Sequence, residues 1–295
     1  MKKFKIGLLL FIGILLKEGF TEMKKEAYIP YIESDILLDG ELKENIWNKA
    51  CILNDFYIAG LGKKDTPQLA TQQTEVKVFY NSQNLYLGII CFEDKMDKIN
   101  KGLPQEEGYT DIPLEWTGDI IEIFLKVEET IYHLAFNPNG AKWDSSEKEG
   151  LSWSEDWFVK TSLKENMWVS EVIIPFSSLT QKGKFSGTPN SGQVWEVNIC
   201  RAEKPHTEFS SWNFTPTNFL NRSSLGKFIF KREELVPVFE ISPGSFFSGE
   251  NKFSVIIKNP YEKEFVLKSI LKISCLEASY KFEKEIDKRE IIVPS

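Results

Sequence analysis

The sequence predicts an all-β protein, a β-sandwich of jelly-roll or immunoglobulin-like kind with one short helix, and three observations predict it. Most apolar stretches after residue 74 alternate with polar residues at a period of two, the signature of half-buried strands. Aromatic residues are abundant, with 22 Phe, 9 Tyr and 8 Trp in 295 residues, and aromatic and β-branched side chains fit a pleated surface. Strands never alternate with helices in the βαβ order of a nucleotide-binding fold or an α/β barrel.

The chain opens with Lys2, Lys3 and Lys5 ahead of an unbroken apolar run from Ile6 to Leu16. A charged stretch followed by an apolar core of this length reads as a signal peptide over residues 1–22, the alternative being an uncleaved N-terminal anchor. The run falls short of the roughly 20 apolar residues that span a bilayer. Lys17-Glu18-Gly19-Phe20 is a poor cleavage signal, and no Cys follows closely enough for a lipid anchor. The expected location is secreted or periplasmic, with no membrane span in the mature chain.

After Asp39-Gly40, residues Leu42, Ile46, Trp47 and Ala50 fall on one helical face, so Glu41 to Ala50 reads as a short amphipathic helix. Strands follow. Glu75 to Tyr80 and Leu85 to Phe92 form a hairpin across Asn81-Ser82-Gln83-Asn84. Asp119 to Val127 alternates, with Ile121, Ile123 and Leu125 on one side and Glu122 on the other, and pairs with Tyr132 to Phe136. Phe158 to Leu163 pairs with Trp168 to Ile174, which Pro175 ends because it cannot donate to a ladder. Trp195 to Arg201 and Phe228 to Phe230 complete about nine strands, the count of a sandwich. This main domain covers 33–231. Charge concentrates at Lys231-Arg232-Glu233-Glu234, and a second, small or partial Ig-like β domain occupies 236–295, with strands at 253–258, 265–274 and 279–282.

Composition excludes several function classes. The net charge is −7, and clustered Lys and Arg, which bind phosphate backbones, occur nowhere beyond the N-terminus, so a nucleic-acid partner is not expected. Cys51, Cys91, Cys200 and Cys275 form no C-x-x-C pair, and most sit in apolar runs, which reads as buried free thiols. No zinc-protease, serine-hydrolase or phosphate-loop motif is present. A glycosidase needs two carboxylates about 5–10 Å apart across the bond, and Asp119 and Glu122 point to opposite sides of one strand. The expectation is therefore a protein without catalytic residues. His133 and His206 are the two histidines, and neither pairs with a Met at positions that suggest haem ligation.

Several short motifs occur in a fixed order: Leu38-Asp39-Gly40-Glu41-Leu42 with Trp47, then Asn84-Leu85-Tyr86-Leu87, then Trp116-Thr117-Gly118-Asp119-Ile120-Ile121-Glu122. Phe136-Asn137-Pro138-Asn139-Gly140, Trp195 to Arg201, Ser210-Ser211-Trp212 and Leu225-Gly226-Lys227-Phe228 follow. In this order, over residues 35–230, they resemble the family 9 carbohydrate-binding modules and their relatives. The resemblance implies a sandwich that holds a sugar between aromatic rings, whose π faces attract the C–H groups of a pyranose. Charged or amide groups then satisfy the sugar hydroxyls, because unpaired buried polar groups are costly.

By position, Trp116 matches the family's first stacking ring and Glu122 a carboxylate that accepts from sugar hydroxyls. Phe219 is the nearest match to the second ring, which is not a Trp here. Ala135 stands where the better-known modules carry a basic residue, and Arg201, with Asn198, is the substitute contact. Trp143, Trp153 and Trp157 border a polar region, 141–156, that reads as a loop in which they pack, the alternative being that they line a longer glycan groove. Its Asp144, Glu147, Glu149, Glu155 and Asp156 offer hard oxygen donors that suit calcium, and the resemblance also implies structural calcium. No other cofactor is expected. The partners implied are a glycan or polysaccharide and a glycoside hydrolase or other cell-surface protein. The competing expectation, favoured by Ala135 and the missing second Trp, is a structural or protein-interaction sandwich that has lost the sugar site.

Overall fold

The computed structural model describes residues 24–60, 66–104, 118–179 and 187–232, and the backbone of four strands beyond residue 237. The chain divides into two compact units, Met1–Arg232 and Glu233–Ser295. In the first unit the strands are β1 (Glu26–Pro30), β2 (Cys51–Leu53), β3 (Tyr57–Ile58), β4 (Thr74–Tyr80), β5 (Asn84–Phe92), β6 (Ile120–Val127) and β7 (Thr130–Phe136). They continue with β8 (Lys142–Ser146), β9 (Phe158–Leu163), β10 (Met167–Pro175), β11 (Val194–Glu203), β12 (Glu208–Ser211) and β13 (Gly226–Lys231).

These strands make two sheets, as expected of a sandwich. One has eight strands in the order β1-β13-β11-β6-β7-β8, with β12 added on β11 and β3 on β12. The other has five, β2-β4-β5-β10-β9. Period-two alternation turns one face of each sheet inward. Val76, Val78, Leu87, Ile89, Val172 and Ile174 from the five-stranded sheet meet Ile121, Ile123, Leu125, Leu134, Val197 and Ile199 from the eight-stranded one in a single buried core. Trp168, Trp195, Phe136, Phe228 and Phe230 fill the same layer, each removing a large apolar area from water.

The expected helix over 41–50 is instead one 3-10 turn, Asn45–Asn48. The reason lies in Glu171, a buried carboxylate on the outward face of β10. Its Oε2 accepts from the backbone N–H of Asp39 and of Gly40, both at 2.9 Å, and its Oε1 from Trp47 Nε1 at 3.3 Å. Leu42 and Trp47 settle on Gly88, where a Cβ would lie 2.5 Å from one and 3.1 Å from the other. So short a segment gains little from helical hydrogen bonds, and the sheet surface dictates its path.

Sequence alternation missed β1, β2, β3, β8 and β12, all of five residues or fewer. β1 joins β13 in parallel, a pairing between segments about two hundred residues apart that no local pattern encodes. Cys51, Cys91 and Cys200 are free thiols; burial pushes Cys91 up to about 12 and raises Cys200 as well, so both behave as apolar side chains. No helix among the described residues is long and apolar enough to cross a membrane. In the second unit β14 (Val238–Ser242) pairs antiparallel with β15 (Ser254–Lys258). β16 (Phe265–Glu277) pairs antiparallel with β17 (Tyr280–Val293), with a register shift between Leu271 and Lys272.

Candidate functional site

The outward face of the eight-stranded sheet carries the candidate site. Strand parity that sends Ile121, Ile123 and Leu125 into the core sends Glu122 and Phe124 outward. The register then fixes their neighbours. Glu122 stands opposite Cys200 on β11 and Ala135 on β7, and Ala135 stands opposite Trp143 on β8. One row over, Phe124 lies between Asn198 and His133, and His133 lies beside Ser145.

Glu122 and His133 meet on this face, with Oε2 of the carboxylate 2.8 Å from Nε2 of the ring. Both side chains retain a little solvent contact, 13% and 14%, so the pair is screened from bulk water yet reachable. The imidazole stacks on Phe124 with ring centres 4.2 Å apart and 22° between planes. Its other side meets Trp143 edge-on at 5.0 Å. Beside them opens a cleft of about 270 Å³ whose lining includes Phe124, Ile131, His133, Ser145, Phe219 and Leu220. Phe219 is half-buried and meets Phe209 edge-on at 5.9 Å, while Leu220 is largely exposed. At the rim Arg222 pairs with Glu147.

The loop that brings Phe219 here is pinned by amides. Asn198 Nδ2 donates to the carbonyls of Asn213 (2.9 Å) and Ser224 (3.1 Å), and Asn213 Nδ2 donates to Ser224 at 3.1 Å. Thr215 Oγ1 bonds the Asn218 carbonyl at 2.8 Å. Asn198, expected as a sugar contact, is thus fully buried beneath the loop and acts by fixing it.

Arg201 is also displaced from its expected role. It lies one residue beyond Cys200, so parity turns it to the opposite face of β11 from Glu122's neighbours. It is fully buried, donating to the Phe92 carbonyl at 2.8 Å and to Glu93 at 3.3 Å, and it fastens the end of β11 to the end of β5. Trp116 lies outside the described residues. Of the five expected ligand residues the structure therefore gathers Glu122 and Phe219 around one face, puts Asn198 under the loop that carries Phe219, and sends Arg201 between the sheets.

His133 and Trp143 are the residues that sequence reading missed here. The signal for His133 was available: folding the tight turn between Val127 and Thr130 places it on the same face as Glu122. Trp143 belongs to β8, which reads as polar loop because Asp144 and Ser146 face inward. Trp153 and Trp157 pack in the core, and Trp157 Nε1 donates to Asp144 at 2.6 Å. The acidic residues put forward for calcium do not gather: Asp144 is buried beneath β8, Glu147 holds Arg222, and among the described residues it is Glu93, Asp94 and His206 whose donor atoms lie within 4.8 Å of one another.

No protein-family model matches the chain, and no curated protein sequence matches it. Solved structures do. A carbohydrate binding module family 9 from Caldicellulosiruptor kristjanssonii in complex with glucose is 16% identical over 72% of this chain and 98% of its own, with a TM-score of 0.47. One from the same organism in complex with cellotriose is 15% identical over 72% and 99%, with a TM-score of 0.43. A protein of Bacteroides uniformis ATCC 8492, whose carbohydrate binding is itself an inference, is 14% identical over 71% of this chain and 100% of its own, with a TM-score of 0.52. At these identities the likeness is one of fold, and the Bacteroides structure carries it. The chain shares a β-sandwich fold with that structure.

Proposed function

We propose that this chain is an exported, non-catalytic carbohydrate-binding protein whose sugar lies on the outward face of the eight-stranded sheet. The observation that carries the reading is the Glu122–His133 pair, held 2.8 Å apart on a floor bordered by Phe124, Trp143 and Phe219. A sugar needs such a combination: apolar ring faces for its C–H surface and an ionised acceptor for its hydroxyls, since hydrogen bonds to charged groups are the stronger ones. Glu122 fills the acceptor role, His133 orients it and bonds a second hydroxyl, and Phe219 is an aromatic wall. Trp116 is the stacking ring that the sequence motif supplies. The cleft, at about 270 Å³, is smaller than the roughly 300–1,000 Å³ of drug-sized pockets, which suits one sugar ring rather than a long glycan. A secreted or periplasmic protein of this kind holds a glycan itself, or brings a glycoside hydrolase or another cell-surface protein to one.

A second reading has its own observation. Arg222 is engaged by Glu147 and Phe219 by Phe209, so the rim is already satisfied without a ligand, as in a sandwich retained for structure or protein contacts. A glycan-array screen of the native chain beside Trp116→Ala and Glu122→Gln separates the two. Binding that both substitutions weaken supports the sugar site, and an array silent for all three proteins supports the second reading.

A further inference from the structure

Away from that face, the end of β5 and the turn between β11 and β12 bring an imidazole among carboxylates. Glu93 and Asp94 follow β5 directly, and His206 sits in the turn after Glu203. None of the four lines the cleft. Among the described residues this is the group with donor atoms of three metal-ligating side chains within 4.8 Å of one another: Glu93, Asp94 and His206.

We propose that Glu93, Asp94 and the Nε2 atom of His206 bind a divalent transition-metal cation of the zinc class. Three features of the geometry support it. Glu203 is built to hold the ring: it accepts the backbone N–H of His206 at 2.9 and 3.1 Å, and its Oε1 lies 2.9 Å from Nδ1. A carboxylate on one ring nitrogen fixes the tautomer and leaves the other nitrogen as a metal ligand, the usual outer arrangement of a histidine metal site. With Nδ1 so engaged, Nε2 faces Asp94 Oδ1 at 3.0 Å. Two lone-pair-bearing atoms at that distance need a positive charge between them, a proton or a metal ion. Glu93, finally, is fixed from two sides: Oε2 accepts from Arg201 at 3.3 Å and Oε1 from the Lys95 backbone N–H at 2.9 Å, with Oε1 3.5 Å from Nδ1 of the ring. A carboxylate oxygen carries two lone pairs, so Oε1 keeps one for an ion.

Access and charge agree with this. Glu93 and Glu203 are buried, while the His206 side chain keeps 19% exposure and Asp94 65%, so an ion reaches the site from solvent and meets a preformed inner wall. The imidazole selects against calcium, which takes six to eight oxygens, and in favour of zinc or its neighbours. Tetrahedral zinc with bonds of about 2.0–2.2 Å sets its donors about 3.4 Å apart; Nε2 and Asp94 Oδ1, at 3.0 Å, already lie near that spacing, and water takes the fourth position. A bound ion would clip the β11–β12 turn to the end of β5.

Isothermal titration of Zn²⁺ into the untagged full chain tests this, with a thermal-unfolding scan alongside. The expected result is one ion per chain, a higher melting temperature in zinc, and no competition from excess Ca²⁺. His206→Ala should weaken binding by about a hundredfold or more and Asp94→Asn by about tenfold, in line with the losses seen when ligands or their supports are removed. Asp94 is exposed, so its variant keeps the fold should His206→Ala not. The proposal is overturned if the native chain takes up no zinc at millimolar concentration, if uptake is unchanged in Asp94→Asn, or if calcium displaces the zinc.

Discussion

Asn198 and Asn213 bond each other reciprocally: the Asn213 backbone N–H donates to Asn198 Oδ1 at 2.9 Å, and Asn198 Nδ2 donates back to the Asn213 carbonyl, also at 2.9 Å. Both residues are buried, so water cannot replace either bond. Together they hold the segment from Asn213 to Ser224 down on the sheet and set the position of Phe219. Asn198→Ala orphans these groups at about 1–3 kcal/mol for each buried polar atom left unpaired. At about 2–4 °C per kcal/mol for a domain of this size, the melting temperature should fall by several degrees. Differential scanning calorimetry reads the loss, and limited proteolysis should show earlier cleavage between 213 and 224. A melting temperature and cleavage pattern equal to the parent's would remove Asn198 from this positioning role.

Gly40 supports a second prediction. Its φ is +82°, and a Cβ there would sit 2.8 Å from the Thr161 backbone carbon. Both the left-handed conformation and the close approach require glycine. Gly40→Ala must shift the chain off the carboxylate of Glu171, which accepts its N–H. The expected cost is about 2–4 kcal/mol, the sum of backbone strain and a weakened buried hydrogen bond. Urea unfolding monitored by Trp fluorescence measures it, and a change under about 0.5 kcal/mol, the range of ordinary surface substitutions, would contradict this account of the Asp39-Gly40 motif.

How far the fold was legible follows from these same residues. Strands with a clean alternation, such as Ile120–Val127 and Met167–Pro175, declare themselves because one face must be apolar. Lys142–Ser146 does not, because its inward positions are Asp144 and Ser146, polar groups made tolerable by partners such as Trp157 that lie elsewhere in sequence. Glu41–Ala50 carries a helical pattern of apolar residues, yet the buried Glu171 pulls its leading backbone N–H groups onto a sheet. In the candidate site, motif order put Glu122 and Phe219 forward, and the structure places both on the outward face of the eight-stranded sheet. Asn198 and Arg201 fit as hydrogen-bonding types but not as ligand contacts, since their burial depends on a covering loop and on the facing sheet. The His133 contact with Glu122 was implicit in strand parity across the turn between β6 and β7.

Lys25 provides a test of pH dependence. Its Nζ donates to the carbonyls of Asn54 (3.0 Å) and Asp55 (2.7 Å) and lies 4.5 Å from the centre of the Tyr57 ring. Burial disfavours the ammonium and outweighs the attraction of Asp55, bringing the group down to about 8 from 10.5. With the folded value below the unfolded one, the unfolded chain holds more protons between those limits, so stability rises as pH climbs through that window and the penalty is fully present below about pH 8. The side chain is partly in water, so solvent screening keeps the effect to about 1–2 kcal/mol. Urea unfolding of the parent and of Lys25→Gln at about pH 7.5 and about pH 10 isolates it. The parent should gain on the variant at the higher pH; a constant difference between the two would show that Lys25 keeps its proton at the ordinary Lys value.

Glu122→Gln addresses the sugar site itself. The substitution keeps the shape of the side chain and its place opposite Ala135, but removes the charge that His133 and a sugar hydroxyl share. Hydrogen bonds to charged groups contribute about 1.5–3 kcal/mol, so affinity for whichever glycan the array identifies should fall about ten- to a hundredfold. Because Glu122 lies on the outward face and not in the core, the melting temperature should move little. Trp143→Ala should also weaken binding, by about tenfold, through the loss of the ring that borders His133. Calorimetric titration beside a melting curve separates the two effects. Full affinity in Glu122→Gln would move the ligand off this face of the sheet, whereas lost affinity with an unchanged melting temperature places Glu122 among the groups that touch the sugar.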